Sequence, residues 1–187
     1  MRYILASKYP RRKELLGEII KDFEIITKEV DESLPEGIHP HDGVEILAVR
    51  KGAAVAEELD PNCVVISSDT LVEIDGVALG KPVDKADAYK MLRLLSGKAH
   101  NVHTGVAVHY LGKAYSGVAT TAVYFREMTD AEIYEYIDSG DPMDKAGSYG
   151  IQSGGGKFVE KTEGDYDTVV GLSVTLTKKL ISEAIND

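Results

Sequence analysis

With 187 residues, 43% of them hydrophobic and 28% charged, the chain has the length and composition of one globular domain or two closely packed lobes, and disorder is excluded as its main state. A formal charge of −10 argues against a general DNA or RNA binder, so any phosphate-binding role has to come from a local cluster of cations. Cys63 is the only cysteine, which excludes an intramolecular disulfide and a cysteine-rich zinc site and suits a reducing cytosol.

The opening MRYILASKYP holds an apolar run too short for a signal-peptide core. No stretch approaches the roughly 20 apolar residues that cross a bilayer, so a cytoplasmic location is expected. Tyr3 to Ala6 predicts a short strand ending at Ser7, and Pro10 suits the first turn of a helix whose apolar face is Leu15, Leu16, Ile19 and Ile20. Phe23 to Ile26 predicts a second strand, followed by an acidic loop with Asp31 and Glu32. A long helix is expected from a cap at Asp42 to about Leu59, with a stripe of Val44, Leu47, Ala48, Val55 and Leu59. At ~100° per residue Lys51 falls inside that stripe, where burial alone does not select a lysine.

Cys63 to Ile66 has the continuous apolar character of a central strand and ends at Ser67-Ser68-Asp69-Thr70. Leu71 to Ile74 predicts a further strand meeting a turn at Asp75-Gly76, and residues 84 to 95 an amphipathic helix. Val102 to Tyr110 and Lys113 to Phe125 predict a long hairpin turning at Leu111-Gly112. Thr129 caps a helix over Asp130 to Asp138 that ends at Gly140, and Ser173 to Ile185 forms the last helix. This alternation of strand and helix periods is that of an α/β protein.

Four segments carry candidate chemistry. Ser7-Lys8-Tyr9-Pro10-Arg11-Arg12 joins a strand to a helix, where unpaired N–H groups and the helix dipole attract anions. Two arginines in a first turn oppose that dipole unless a polyanion neutralises them; the alternative is two solvated arginines beside a hydroxyl cap. Asp69 directly follows a buried strand, and ligands of open α/β sheets gather outside carboxyl strand ends. A carboxylate there holds a divalent cation or takes a proton from water, or else is a plain turn aspartate. Lys81, in Leu79-Gly80-Lys81-Pro82, is presented from a restrained loop that is not a P-loop, and alone it reads as an ordinary turn lysine. Lys51 is either aimed at a site or snorkelling past the core edge. The glycine-rich, charged run Ser139 to Gln152 either shapes a site or crosses between lobes, and Gln152 has the donor and acceptors to read a base edge. The five histidines show no HExxH spacing and there is no G-x-S-x-G elbow, which disfavours a histidine-based zinc site and a serine hydrolase.

In this order the segments resemble the Maf family of nucleoside triphosphate pyrophosphatases, over nearly the whole chain. The resemblance runs from Leu5-Ala6-Ser7 and Pro10-Arg11-Arg12-Lys13-Glu14-Leu15-Leu16 through Val30-Asp31-Glu32, Lys51, Ser68-Asp69-Thr70 and Leu79-Gly80-Lys81-Pro82. It continues with Leu95-Ser96-Gly97-Lys98-Ala99-His100, His103-Thr104-Gly105-Val106, Asp144-Lys145-Ala146-Gly147-Ser148-Tyr149-Gly150-Ile151-Gln152 and Val169-Val170-Gly171-Leu172. Tyr9, Ser153 and Ser173 stand where the family usually has serine, glycine and proline. The resemblance implies a single domain over 1–187 with an elongated mixed sheet, flanking helices and a cleft between two lobes, similar to the inosine triphosphate pyrophosphatases.

It also implies hydrolysis of a nucleoside triphosphate to the monophosphate and pyrophosphate with a divalent metal, Mg or Mn. Arg12, Thr70 and Gln152 match the branch associated with dTTP and UTP; modified pyrimidine nucleotides are the neighbouring substrate class. The expected arrangement has Ser7, Arg11, Arg12 and Lys145 on the phosphates, with Asp144 orienting Lys145. Lys51 and Lys81 close on the charge that develops, and Asp69 serves as base or, with Glu32, as metal ligand. No nucleic-acid or membrane partner is expected, and a homodimer is common among folds of this kind. The alternative function is a nucleotide-binding regulator of septum formation with little catalysis. Methionine at position 51 completes the apolar stripe, so the fold is expected to tolerate it.

Overall fold

The computed structural model describes residues 1–187. Seven strands form one mixed sheet: β1 (Arg2–Leu5), β2 (Glu24–Ile25), β3 (Cys63–Ile74), β4 (Val77–Leu79), β5 (Ala99–Tyr110), β6 (Lys113–Phe125) and β7 (Val159–Glu163). The order is β2-β1-β3-β5-β6-β7, with β4 folded back on β3. The β2-β1-β3 part is parallel and the rest antiparallel.

Helix α2 (Pro40–Ala56) packs on one face of β3, β5 and β6. The other face carries the main core, where Ile66, Val102, Val106 and Val108 meet side chains of α1 (Pro10–Ile19), α3 (Lys85–Leu95), α4 (Asp130–Asp138) and α6 (Val174–Asn186). No helix is long and apolar enough to cross a membrane.

Local chemistry accounts for most boundaries. Pro10 opens α1, Asp84 caps α3, Ser173 caps α6, and Thr129 with Glu132 forms a reciprocal capping box on α4. Asp75 and Gly76 both take positive φ, 53° and 78°, as a two-residue hairpin between β3 and β4 requires. The cap of α2 is His39, whose ring accepts from His41 N at 3.2 Å; Asp42 instead lies in the first turn.

Two expected strands prove to be one. β3 runs unbroken through Ser67-Ser68-Asp69-Thr70, paired with β5 from Val65 to Glu73. The polar residues in the middle of a buried strand are satisfied by tertiary partners: Ser67 Oγ donates to Ala48 O at 2.7 Å and Ser68 Oγ to Gly171 O at 3.0 Å. β7, with the sequence VEKTE, and the short helix α5 (Tyr166–Val170) have no hydrophobic period that would have announced them.

The approach of α2 to the sheet is set by absent side chains. A Cβ on Gly105 would lie 2.3 Å from Val44 O, and one on Gly52 2.5 Å from the His109 ring. Gly105 is the partner of Asp69 across the β3–β5 ladder, so α2 approaches the sheet closely beside the aspartate of β3.

His100, on β5, is 3% exposed and packed edge-on against Phe125 and Tyr149, with Nε2 2.7 Å from Tyr149 Oη. Burial pulls its pKa from 6.5 down to about 4. Between those values the unfolded chain binds a proton that the folded protein does not. Stability is therefore full above about pH 6.5 and falls as the pH drops towards 4, by about 3 kcal/mol from this group. Urea melts at pH 7.5 and 4.5 test this: His100→Gln should lose less stability on acidification than the wild type, and equal losses would refute the assignment.

Candidate active site

On its β1 side β3 has a notch. β1 pairs only with Cys63 to Ile66, and β4 begins pairing at Val72, so residues 67–71 have a strand partner only in β5. Asp69 and Thr70 lie in this notch and, as neighbours on a strand, point to opposite faces. Asp69 is therefore mid-strand in β3, and the carboxyl strand end that opens the site is that of β1, where Ala6 N donates to Ile66 O at 2.7 Å. A cleft of about 860 Å³ opens here.

Seven basic side chains line the cleft (Lys8, Arg11, Arg12, Lys28, Lys51, Lys81 and Lys145) against four acidic ones (Glu29, Glu32, Asp69 and Asp144). In a chain of net charge −10 this is a local reversal of sign. The Arg11-Arg12 pair, Lys51 and Lys81, from three separate stretches of the chain, thus share one cavity with Asp69.

The loop after β1 is shaped by Ser7, whose Oγ accepts from Tyr9 N at 3.2 Å, leaving the hydroxyl proton free for an anion. Tyr9 occupies the cap position of α1 without a side-chain cap, and its ring centroid is 5.6 Å from Arg12 Cζ. Half-buried Arg12 donates through Nε to Gly171 O at 2.8 Å and through Nη2 to Thr70 Oγ1 at 3.2 Å, with Nη1 3.5 Å from Ser7 Oγ. Burial lowers its pKa, opposed by the charges of Asp69, Tyr9 and Glu32. Gly171 thereby fixes the Arg12 fork, a role the sequence signals only through its place in Val169-Val170-Gly171-Leu172.

Lys51 is one-fifth exposed and bridges two carboxylates, Glu32 Oε1 at 2.8 Å and Asp69 Oδ1 in direct contact. The Lys51 hydrogen bond, with further help from Lys81 and Arg12, holds the Glu32 carboxyl below its ordinary pKa against the effect of burial. Two carboxylates converging on one cationic centre suit a hard divalent ion that draws its other ligands from substrate phosphates. No group of three or more His, Cys, Asp or Glu side chains is placed to hold a metal alone.

Lys81 projects from the loop after β4, exposed at the cleft, and Gly80 O in that loop accepts from Gly147 N at 3.1 Å. Lys145 has all three N–H donors engaged, with Asp141 O at 2.8 Å, Asp141 Oδ1 at 2.9 Å and Asp144 Oδ1 at 2.8 Å. Asp144 is thus one partner of two. Asp141, which sequence reasoning passed over, is the hub of the segment: its Oδ2 also accepts from Tyr136 Oη at 2.5 Å and Ser153 Oγ at 2.7 Å. An aspartate followed by proline inside a glycine-rich run was the available signal. Gln152 is exposed and lies outside the cleft lining, which in this segment extends only to Gly150.

The family model of the Maf-like proteins matches residues 2–184. The chain is similar to a dTTP/UTP pyrophosphatase of Bdellovibrio bacteriovorus, 45% identical over 186 residues that cover 96% of this chain and 97% of the relative. It is also similar to a dTTP/UTP pyrophosphatase of Thermococcus onnurineus, 47% identical over 179 residues that cover 95% of each. Among solved structures it shares a fold with the Staphylococcus aureus Ham1 protein, at a TM-score of 0.51 and 17% identity over 67% of this chain and 72% of that one.

Proposed function

Because the chain belongs to the Maf-like protein family, we propose that it hydrolyses dTTP and UTP to the nucleoside monophosphate and pyrophosphate, with modified pyrimidine nucleotides as a neighbouring substrate class. The observation that carries this reading is the cation-lined cleft facing Asp69 in an acidic molecule. A triphosphate satisfies what the cleft leaves unsatisfied: Lys8, Arg11 and Lys81 line it without an ion-pair partner, and the Ser7 hydroxyl proton is free.

In the proposed reaction water attacks the α-phosphorus, and the bond from that phosphorus to the α,β-bridging oxygen breaks. Asp69 takes the water's proton, and the negative charge that develops on pyrophosphate falls among Arg11, Lys51 and Lys81. Lys51, held by Glu32, orients the Asp69 carboxylate. A divalent cation, Mg²⁺ or Mn²⁺, would be held by Asp69 and Glu32 and supply charge against the phosphate oxygens. Recognition of the nucleotide is assigned to Arg12 and Thr70, and Lys145 to holding the 141–150 segment against the cleft. A cytoplasmic location goes with these substrates.

Incubation with UTP or dTTP and Mg²⁺ is expected to release one pyrophosphate per monophosphate formed. A panel adding 5-methyl-UTP, pseudo-UTP, ITP and 7-methyl-GTP then ranks the substrates. Release of orthophosphate would refute the cleavage position, and binding without product would favour a regulator.

A further inference from the structure

Thr104 lies on β5, fully buried and outside the cleft lining, so it cannot touch a nucleotide. Its Oγ1 is nevertheless 2.9 Å from Thr70 Oγ1 and 2.7 Å from Thr168 O, and Thr70 Oγ1 is 3.2 Å from Arg12 Nη2. The direction of this chain of contacts is set at its ends. A carbonyl only accepts, so the Thr104 proton is committed to Thr168 O. With no second proton, Thr104 can only accept from Thr70, whose proton is then spent in turn. Towards Arg12, which only donates, Thr70 presents lone pairs alone.

We infer that Thr104 is a positioning residue: its buried hydroxyl sets the direction of the Thr70 hydroxyl and so holds the Arg12 guanidinium in its plane at the cleft. The inference rests on the reading above that Arg12 and Thr70 meet the nucleotide. Without the acceptor at position 104 the Thr70 hydroxyl rotates, and in part of its range it points a proton at Arg12. The guanidinium then keeps its Nε bond to Gly171 O and the longer Nη1 contact to Ser7 Oγ, but loses the partner that fixes its Nη2 corner.

The test is a double-mutant cycle on UTP hydrolysis at saturating Mg²⁺, with melting temperatures measured alongside. Thr70→Val and Thr104→Val should each lower kcat/KM about tenfold, chiefly by raising KM. The double variant should be no worse than Thr70→Val alone, and Thr104→Ser should recover to within about threefold of wild type. A loss of packing alone would not produce this non-additivity or the recovery by serine. If Thr104→Val is not accommodated, Thr104→Ala makes the same comparison. Kinetics of Thr104→Val equal to wild type, or a full further loss in the double variant, overturns the positioning role while leaving the substrate reading intact. Wild-type kinetics in Thr70→Val overturns the assignment of nucleotide recognition to Thr70, and the role of Thr104 with it.

Discussion

Asp69→Asn is expected to fold as the wild type does and to lose about a thousandfold in kcat. The amide has the shape of the carboxylate, and its oxygen can still accept from Lys51, so the buried neighbourhood on β3 keeps a partner. What is lost is the capacity to receive a proton from water and to place a full negative charge in the cleft. General-base contributions run from roughly a hundredfold to ten-thousandfold, and asparagine supplies no substitute. Steady-state kinetics with UTP, next to a thermal melt, separate the two effects. Turnover close to wild type at saturating metal would remove Asp69 from the chemistry.

Lys51→Met has the second-largest expected effect, about a hundredfold in kcat, and it also tests how the site is held together. The helical stripe alone predicts that methionine is well tolerated at position 51. The structure changes that expectation, because the ammonium bridges Glu32 and an Asp69 side chain only 12% exposed. Removing it leaves two carboxylates facing one another without their counter-charge. Open to the water of the cleft, the exposed Glu32 regains solvation readily, and the cost of the unpaired Asp69 is about 1–2 kcal/mol.

The pH dependence has a definite sign. Lys51 lowers the pKa of Glu32 in the folded protein, so this pairing stabilises above the ordinary glutamate range and is lost as the pH falls through the depressed value. The stability gap between wild type and Lys51→Met is therefore widest near neutral pH and narrows on acidification. Melting curves taken from neutral pH down through and below the ordinary glutamate range check this, and a gap that widens in acid would contradict the bridge.

Much of this was legible in the chain itself, because local chemistry speaks for local structure. Proline at the start of α1, the Thr129–Glu132 box on α4, and the Asp75-Gly76 and Leu111-Gly112 turns act within four residues and are seen in any short window. The anomaly of Lys51 on its stripe was legible too, since a helix's period is fixed by its backbone. Less was readable where a partner lies far along the chain. The run Ser67-Ser68-Asp69-Thr70 looked like the end of a strand because its hydrogen-bond partners, Ala48, Gly171 and Thr104, come from three distant elements. Along the chain Lys145 reads as oriented by Asp144 alone, because the Asp141 hub is built from a helix tyrosine and a loop serine.

Residue types and their spacing established which groups are available: the cations, the aspartate, the capped helices and the hairpins. Folding in three dimensions decided which of them meet. The notch between β1 and β4 and the bare Cα of Gly105 under α2 are relations between segments about 60 to 75 residues apart. Hydrogen bonds and ion pairs act over a few ångströms of space whatever the separation in sequence, so Asp69 acquires Lys51, and Arg12 acquires Thr70 and Gly171, only once the sheet is assembled.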